Sequence, residues 1–408
     1  MLATSEVSAA QWKSTQPMRI LLLCNSIGKG YAATAHLAAE LAEGLVTRGC
    51  EVDVWCRGES REHAVPSCGR SVGVHGMDDQ LCQRFKNRHL SELMLLWAFC
   101  RWAGKTPVTY DRVICMDSPR FAGLAAGILS KRSGAQTLAW VMDLALEQVA
   151  RRAAGRPAGR VARWLTQRQV RQWAGMDRIV TLGTCMAALL EKAGVPREKI
   201  EVIGTWGEDS WADLAIDGLV GRERFGFNGR FIIMYSGYAG TWHDFESIGE
   251  AIMALRDNTV IQWVFAGSGP GIDHIRDLAG SLPSGRIVVM DRVDREDLAA
   301  LLSCADVHLV SLRAEMLGTC VPSKLYPLMA LGKPVAFVGP AACQTALDLE
   351  QAQAGLVVGN GRELVEALRG LVHDPERLQA MGENARQAFQ NGHNATSVID
   401  GWLAALKR

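Results

Sequence analysis

Two side chains in the segment CVPSKLYPLMALGKPV, residues 320–335, could act on a negatively charged ligand: Ser323 and Lys324. The apolar helical pattern around them is interrupted by Pro327, and a proline costs little in a first helical turn, where its missing N–H has no intrahelical partner anyway. The spacing therefore predicts a helix with Ser323 as N-cap and Lys324, Leu325 and Tyr326 in the first turn. Free backbone N–H groups, the Ser323 hydroxyl and the Lys324 ammonium would converge there, which suits a diphosphate. A capping serine beside a solvated lysine is the plainer reading of the same residues.

Three glycine loops extend the case. Gly28, Lys29, Gly30 and Ala33 fit the pattern G-x-G-x-x-G/A of dinucleotide-binding turns. Asn25, Ser26 and Ile27 push the first glycine away from the preceding strand, and the next strand ends near Arg57 without the acid that grips an NAD ribose, so a nicotinamide enzyme fits poorly. The glycines either only permit a tight turn or let backbone amides approach an anion. Further on, Ser236-Gly237-Tyr238-Ala239-Gly240 and Gly267-Ser268-Gly269-Pro270-Gly271 each follow an apolar run. Two such strand ends facing one crevice favour a phosphate-bearing ligand held by the second half.

The elements that must position these residues alternate along the chain. MRILLLCNSIGKG, YAATAHLAAELAEGLVTRG and CEVDVWCRG read as strand, loop, helix and strand, a parallel β-α-β unit. RVICM (112–116), TLAWVM (137–142), RIVTLG (178–183) and KIEVIG (199–204) continue the first series. After a looser stretch at 205–218 the rhythm restarts with FIIMYSG, IQWVFAGSG, RIVVMD, ADVHLVSL and PVAFVG, and a helical stretch follows from about residue 375. The expectation is α/β: two doubly wound Rossmann-like domains facing a cleft, divided as 18–205 and 206–385, with 386–408 as a final helix. In such sheets ligands gather beyond the carboxyl ends of the strands.

Composition narrows the partners. The 408 residues exceed the usual size of one domain. With 44 basic and 43 acidic residues no global field draws the chain to nucleic acid, and no nucleic-acid motif accompanies its one basic stretch. Eleven scattered cysteines without a C-x-x-C pair suit a reducing compartment and argue against a zinc site. The first 17 residues lack an apolar signal core, and no run reaches the length that spans a bilayer, so the expected location is cytoplasmic, peripheral on the inner face of the plasma membrane.

The words VFAGSGPGIDHI, ADVHLVSL and VPSKLYPLMALGKPV, in that order, resemble the C-terminal domain of GT-B-fold retaining glycosyltransferases of family 4. The Trp in VIGTWGED and the Asp in WVMDLALEQ resemble the bacterial envelope-polysaccharide branch, which includes colanic-acid and O-antigen enzymes. The resemblance runs from about Met18 onward. It implies a nucleotide-sugar donor in the second domain, a saccharide or lipid-diphosphate-linked acceptor in the first, and a final helix that crosses back to the first domain. It further implies pyrophosphate contacts from Gly237, Ser323 and Lys324, with Leu325 beside them, and a base near Gly267, Gly269, Arg292 and Val293. Asp117 and Asp143 take the positions from which the family presents polar groups to acceptor and reacting sugar. No cofactor beyond the co-substrate is implied, and the lack of any D-x-D pair argues against a metal-bridged diphosphate.

Three departures stand out. Where relatives place an Arg and a Lys on the loop after the first strand of the second domain, this chain has Tyr238 and His243. Thr319 and Pro327 stand where a pair of glutamates is usual, the second of which grips the ribose; Arg313 and Glu315 are the nearest residues that could compensate. These losses would also permit a catalytically silent paralogue that binds an active enzyme. A nucleotide-sugar epimerase lacks its catalytic carboxylate pattern here. Finally, 151–173 holds seven arginines, with tryptophan and leucine and no acid, which suits an anionic membrane surface. HLSELMLLWAFCRWAGK (89–105) mixes apolar and basic residues in a similar way, but reads better as an ordinary core-facing helix.

Overall fold

The computed structural model describes residues 16–28, 33–58, 61–65, 67–77, 88–214, 218–227 and 230–408. The first sheet has eight strands: β1 (Arg19–Leu23), β2 (Glu51–Arg57), β3 (Arg61–Val65), β4 (Arg70–Met77), β5 (Arg112–Met116), β6 (Gln136–Val141), β7 (Arg178–Thr181) and β8 (Ile200–Val202), in the order β3-β4-β2-β1-β5-β6-β7-β8. Every pairing is parallel except β3 with β4. The helices of this half are α1 (Ala33–Thr47), α2 (Arg88–Ala103), α3 (Gly123–Ser133), α4 (Ala145–Arg152), α5 (Pro157–Ala174) and α6 (Thr184–Lys192). Central strands such as RVICM are buried along their whole length because helices cover both faces, which is why they read as continuous apolar runs.

The second sheet contains β9 (Phe231–Tyr238), β10 (Ile261–Ser268), β11 (Ile287–Met290), β12 (Val307–Ser311), β13 (Val335–Val338) and β14 (Gly355–Val358), all parallel, in the order β11-β10-β9-β12-β13-β14. Around it lie α7 (Asp209–Ala212), α8 (Gly218–Phe225), α9 (Phe245–Ala254), α10 (Pro270–Ala279), α11 (Arg295–Ser303), α12 (Leu325–Ala330), α13 (Gln344–Ala352), α14 (Gly361–Leu371) and α15 (Pro375–Ala388). Strand order reverses between β1 and β5 and again between β9 and β12. Each reversal opens a crevice at the carboxyl ends of the strands, and the two crevices face a common cleft.

A turn at Phe389–His393 leads into α16 (Ala395–Lys407), which leaves the second core and packs on the first. Trp402 is fully buried against Trp140, with ring centroids 4.9 Å apart. Arg48 pairs with Asp400 at 2.6 Å, and the Arg112 side chain donates to the Leu406 carbonyl at 2.7 Å. Asn394 starts the helix by accepting from the Ser397 N–H.

Helix α2 is the core-facing helix expected, with a second apolar stripe toward solvent. Leu95, Phe99 and Ala103 face the core as an ordinary helix would, yet Leu90, Leu93 and Trp97 on the opposite side are about half exposed. Large apolar side chains fall on both sides of this helix, so their pattern alone does not mark which stripe is buried.

Candidate active site

Lys324 stands at the crevice between β9 and β12. Its Nζ donates to the Tyr235 hydroxyl at 2.8 Å, to the Tyr238 carbonyl at 3.2 Å and to His243 Nε2 at 3.4 Å. His243 is buried, with Nδ1 2.6 Å from the Ser311 carbonyl, so the ring proton sits on Nδ1 and the Nε2 lone pair faces the ammonium. Burial, and then the Lys324 charge, push His243 down to about 3, so it is neutral. Lys324 keeps part of its surface open to the cleft, but its ammonium is enclosed and no described carboxylate pairs with it. That desolvation pushes it down to about 7.

Glycine makes room for this lysine. Gly237 has φ +113°, and a Cβ there would lie 2.8 Å from Lys324 Cε. Gly267, at φ +139°, lies against the Gly237 carbonyl, which its Cβ would meet at 2.2 Å. The two glycine strand ends therefore pack on each other and turn the end of β9 toward Lys324.

The N-cap expectation needs correcting. Helix α12 begins at Leu325, Lys324 occupies the cap position with helical dihedrals, and Ser323 makes no capping bond. The turn closes through the Ser323 carbonyl, which accepts from the Tyr326 N–H at 3.3 Å, leaving the hydroxyl half-buried beside Lys324. Pro327 still falls in the first turn, so no helix bond is lost. The Leu325 side chain is fully buried in the core and is not available to a ligand.

Across the cleft, Asp117 follows β5 and Asp143 follows β6. The Asp143 N–H donates to Asp117 Oδ2 at 2.8 Å. Both carboxyls are raised above the usual range, by desolvation first and then, for Asp143, by the Asp117 charge. Asp143 remains open to solvent, which limits the desolvation, but the repulsion from Asp117 acts in the same direction, so both carboxyls are displaced upward together. They line a cavity of about 320 Å³ together with Asn25, Ser26, Arg120 and Gln169.

The two sides meet at a seam. Asp143 forms an antiparallel bridge with Cys320, and the Leu144 N–H donates to the Thr319 carbonyl at 2.8 Å. Burial, and then the Asp143 charge, raise the Cys320 thiol, while the Lys324 charge acts to lower it. Arg151 donates to the carbonyls of Glu315 at 2.8 Å and Leu317 at 3.0 Å, while Arg152 donates to the Thr241 hydroxyl. Both arginines reach the second domain, Arg152 while still exposed, and Trp173 is buried, which trims the expected membrane patch. Arg152 was hidden in the sequence among six similar residues, yet it reaches the loop where relatives carry their own cations.

The other expected residues are dispersed. Arg313 is engaged by Glu246 at 3.0 Å and by the His243 carbonyl at 3.2 Å, and Glu315 is exposed 3.9 Å from Arg313. Arg292 and Val293 lie on the loop after β11, with Arg292 exposed. Tyr238 is 55% exposed beside Trp242, an open aromatic face at the cleft mouth. Gly269 caps α10 and packs on the Ala239 carbonyl. The Gly28 amide turns inward to the Ala35 carbonyl at 3.4 Å and so does not offer its N–H to an anion; Lys29 and Gly30 lie outside the described residues. Tyr235, which holds the Lys324 ammonium, carried no sequence signal beyond its place in a strand.

Among the described residues one cluster has ligand-type atoms close together: His36, Glu40 and Glu208, within 4.8 Å of one another. Arg295 donates to both His36 and Glu208, so a guanidinium already fills the place a cation would take. No helix among the described residues is long and apolar enough to cross a membrane.

Two sheets whose switch-point crevices face one cleft are the GT-B architecture, and the chain is a GT-B-fold glycosyltransferase related to bacterial sugar-transfer enzymes by the matches that follow. Residues 33–206 match the glycosyl transferase 4-like domain family and 250–404 the glycosyl transferase-like family. The chain is 26% identical over 303 residues to the putative colanic acid biosynthesis glycosyl transferase WcaI of Escherichia coli (strain K12), covering 73% of this chain and 74% of that protein. In structure it is similar to sucrose-phosphate synthase from Thermosynechococcus elongatus, with TM-score 0.68 and 18% identity over 95% of this chain and 98% of that one. It is similar also to Anabaena HepE in complex with UDP and glucose, with TM-score 0.67 and 16% identity over 95% and 99%.

Proposed function

We propose that this chain transfers a sugar, with retention of configuration, from a nucleoside-diphosphate sugar in the second domain to a saccharide or lipid-linked acceptor in the first. One observation carries the reading: Asp143, bonded through its N–H to Asp117, bridges to Cys320 of the second domain, four residues before Lys324. Departure of the nucleoside diphosphate leaves negative charge on phosphate, so stabilising that charge is the main demand on the protein. Lys324 supplies one cation from within the donor site and Arg152 a second from across the cleft, compensating for Tyr238 and His243 on the loop. The neighbouring carboxylates are placed to hold an acceptor hydroxyl and to share its proton. The UDP and glucose bound to HepE, and the polysaccharide role in the name of WcaI, support the donor class and the envelope setting.

A peripheral position on an anionic membrane completes the proposal. Leu90, Leu93 and Trp97 of α2 are exposed, and so are Val161 and Trp164 of α5, where Arg160 and Arg168 lie on the same helix and Arg156 at its N-cap. Exposed tryptophans beside arginines fit the headgroup region of a bilayer.

The test is donor turnover: purified protein with UDP-glucose and other nucleotide sugars, with and without membrane extract, read by released UDP and by the anomeric proton in NMR. Retained configuration in a product supports the proposal. The pairing of Arg313 with Glu246 leaves Glu315 as the remaining candidate to replace the ribose glutamate lost at Pro327, which favours a silent, partner-binding paralogue. Nucleotide binding without turnover of any donor would decide for that second reading.

A further inference from the structure

Outside the cleft, helices α4, α5 and α6 enclose a cavity of about 520 Å³. Its floor is apolar, made by Leu144, Val170, Leu189 and Leu190, and its rim carries Arg151, Arg163, Arg171 and Lys192. Arg151 is already committed, to Glu147 at 2.9 Å and to the second domain. Glu147 is the one acid in the lining, so it neutralises none of the other three. Arg163, Arg171 and Lys192 are exposed and make no ion pair or hydrogen bond among the described residues. Three unpaired cations around an apolar hollow repel one another and focus a positive potential into it, which an anion would relieve.

The shape of α5 narrows the kind of anion. Arg163, Gln167 and Arg171 repeat every four residues and line the cavity, while Val161, Trp164 and Arg168 form the next stripe around the same helix. Val161 and Trp164 are 57% and 54% exposed, and the Arg168 guanidinium lies 5.1 Å from the centroid of the Trp164 ring. Cations in a hollow thus pass directly into an exposed apolar stripe. An amphiphile can satisfy both, with phosphate in the cavity and hydrocarbon along Val161 and Trp164.

We infer that this cavity binds the phosphate or diphosphate of an amphiphilic phosphate ester. Its identity as the acceptor's anchor rests on the glycosyltransferase reading; Leu144, in the floor, directly follows Asp143, so an anchored diphosphate lies next to the acceptor side of the cleft.

The experiment titrates the full chain with geranyl diphosphate, inorganic pyrophosphate, phosphatidylglycerol vesicles and UDP, following tryptophan fluorescence and calorimetry. The triple variant Arg163→Gln, Arg171→Gln, Lys192→Gln and the single variant Trp164→Ala are run beside the wild type. Geranyl diphosphate should bind at least about tenfold more tightly than pyrophosphate, and the triple variant should weaken it by about tenfold or more while UDP binding stays unchanged. Trp164→Ala should bring geranyl diphosphate close to pyrophosphate. Equal affinity of wild type and triple variant for geranyl diphosphate overturns the inference. So does a triple variant that loses only vesicle binding, which would make these cations part of a flat membrane contact. If UDP fails to bind the wild type while geranyl diphosphate behaves as expected, the site stands and the glycosyltransferase reading falls.

Discussion

Lys324 makes nucleotide binding a proton-linked event. Its ammonium is held down to about 7 by burial, and a diphosphate arriving beside it would restore the charged form. The free protein must therefore take up a proton to bind UDP at alkaline pH. Between pH 7 and pH 9 the protonated fraction of such a lysine falls from roughly one half to about one hundredth, which weakens binding about fiftyfold, or roughly 2.3 kcal/mol. The terminal phosphate of UDP, with a second ionisation near about 6, is already about nine-tenths charged at pH 7 and changes little across that window. Calorimetry at pH 8 in buffers of different ionisation enthalpy should register nearly one proton, about 0.9, taken up per UDP bound. Lys324→Arg should remove most of the pH slope, because a guanidinium stays charged throughout. Any slope left in that variant belongs to the Asp117–Asp143 pair, whose ionisation over neutral pH adds repulsion of the same sign. Lys333→Ala should leave the slope intact, since Lys333 ties the Ser303 and Ala305 carbonyls at 2.7 and 3.2 Å. If wild type and Lys324→Arg lose affinity in parallel, or if no proton is taken up, Lys324 does not meet the diphosphate.

Gly237→Ala should drive Lys324 from its place, because the new Cβ would lie 2.8 Å from Cε; UDP affinity should drop by about tenfold or more, and the left-handed backbone should cost roughly 1–3 kcal/mol in thermal unfolding. Asp143→Asn should cut turnover by about a hundredfold or more with UDP affinity unchanged, measured by steady-state kinetics beside calorimetry. Arg152→Ala should weaken UDP by about tenfold through loss of a charged contact across the cleft, with the unfolding midpoint unmoved. Trp97→Ser with Trp164→Ser should lower co-sedimentation with anionic vesicles at constant salt, and unchanged sedimentation would remove the membrane from the proposal.

The parts of the fold that could be read from the chain are those in which burial is complete. RVICM and ADVHLVSL sit in parallel sheets covered on both faces, so apolar content alone marks them. The edge strand β3 and its neighbour β4 lack such a run and were not anticipated, and neither was the four-residue β14, which opens with glycine. Ser323 and Lys324 were legible as a pair, but not the backbone dihedrals that make Lys324 the cap. Arg152 could not be separated from its neighbours by composition, since only the packing of α4 against the second domain singles it out. The outward face of α2 was illegible for a related reason: two apolar stripes on one helix leave the choice of core to the tertiary contacts.

Helix α16 closes the first core with residues that lie some two hundred positions beyond most of it. During synthesis the segment through Trp206 leaves the ribosome with the faces later covered by Ile399 and Trp402 still open. At about 5–20 residues per second, roughly 10–40 s pass before Trp402 arrives. The second domain can complete its own core within that interval, so the half made first is finished last. Over that time the exposed wall around Trp140 is the surface that chaperones, or neighbouring nascent chains, would meet.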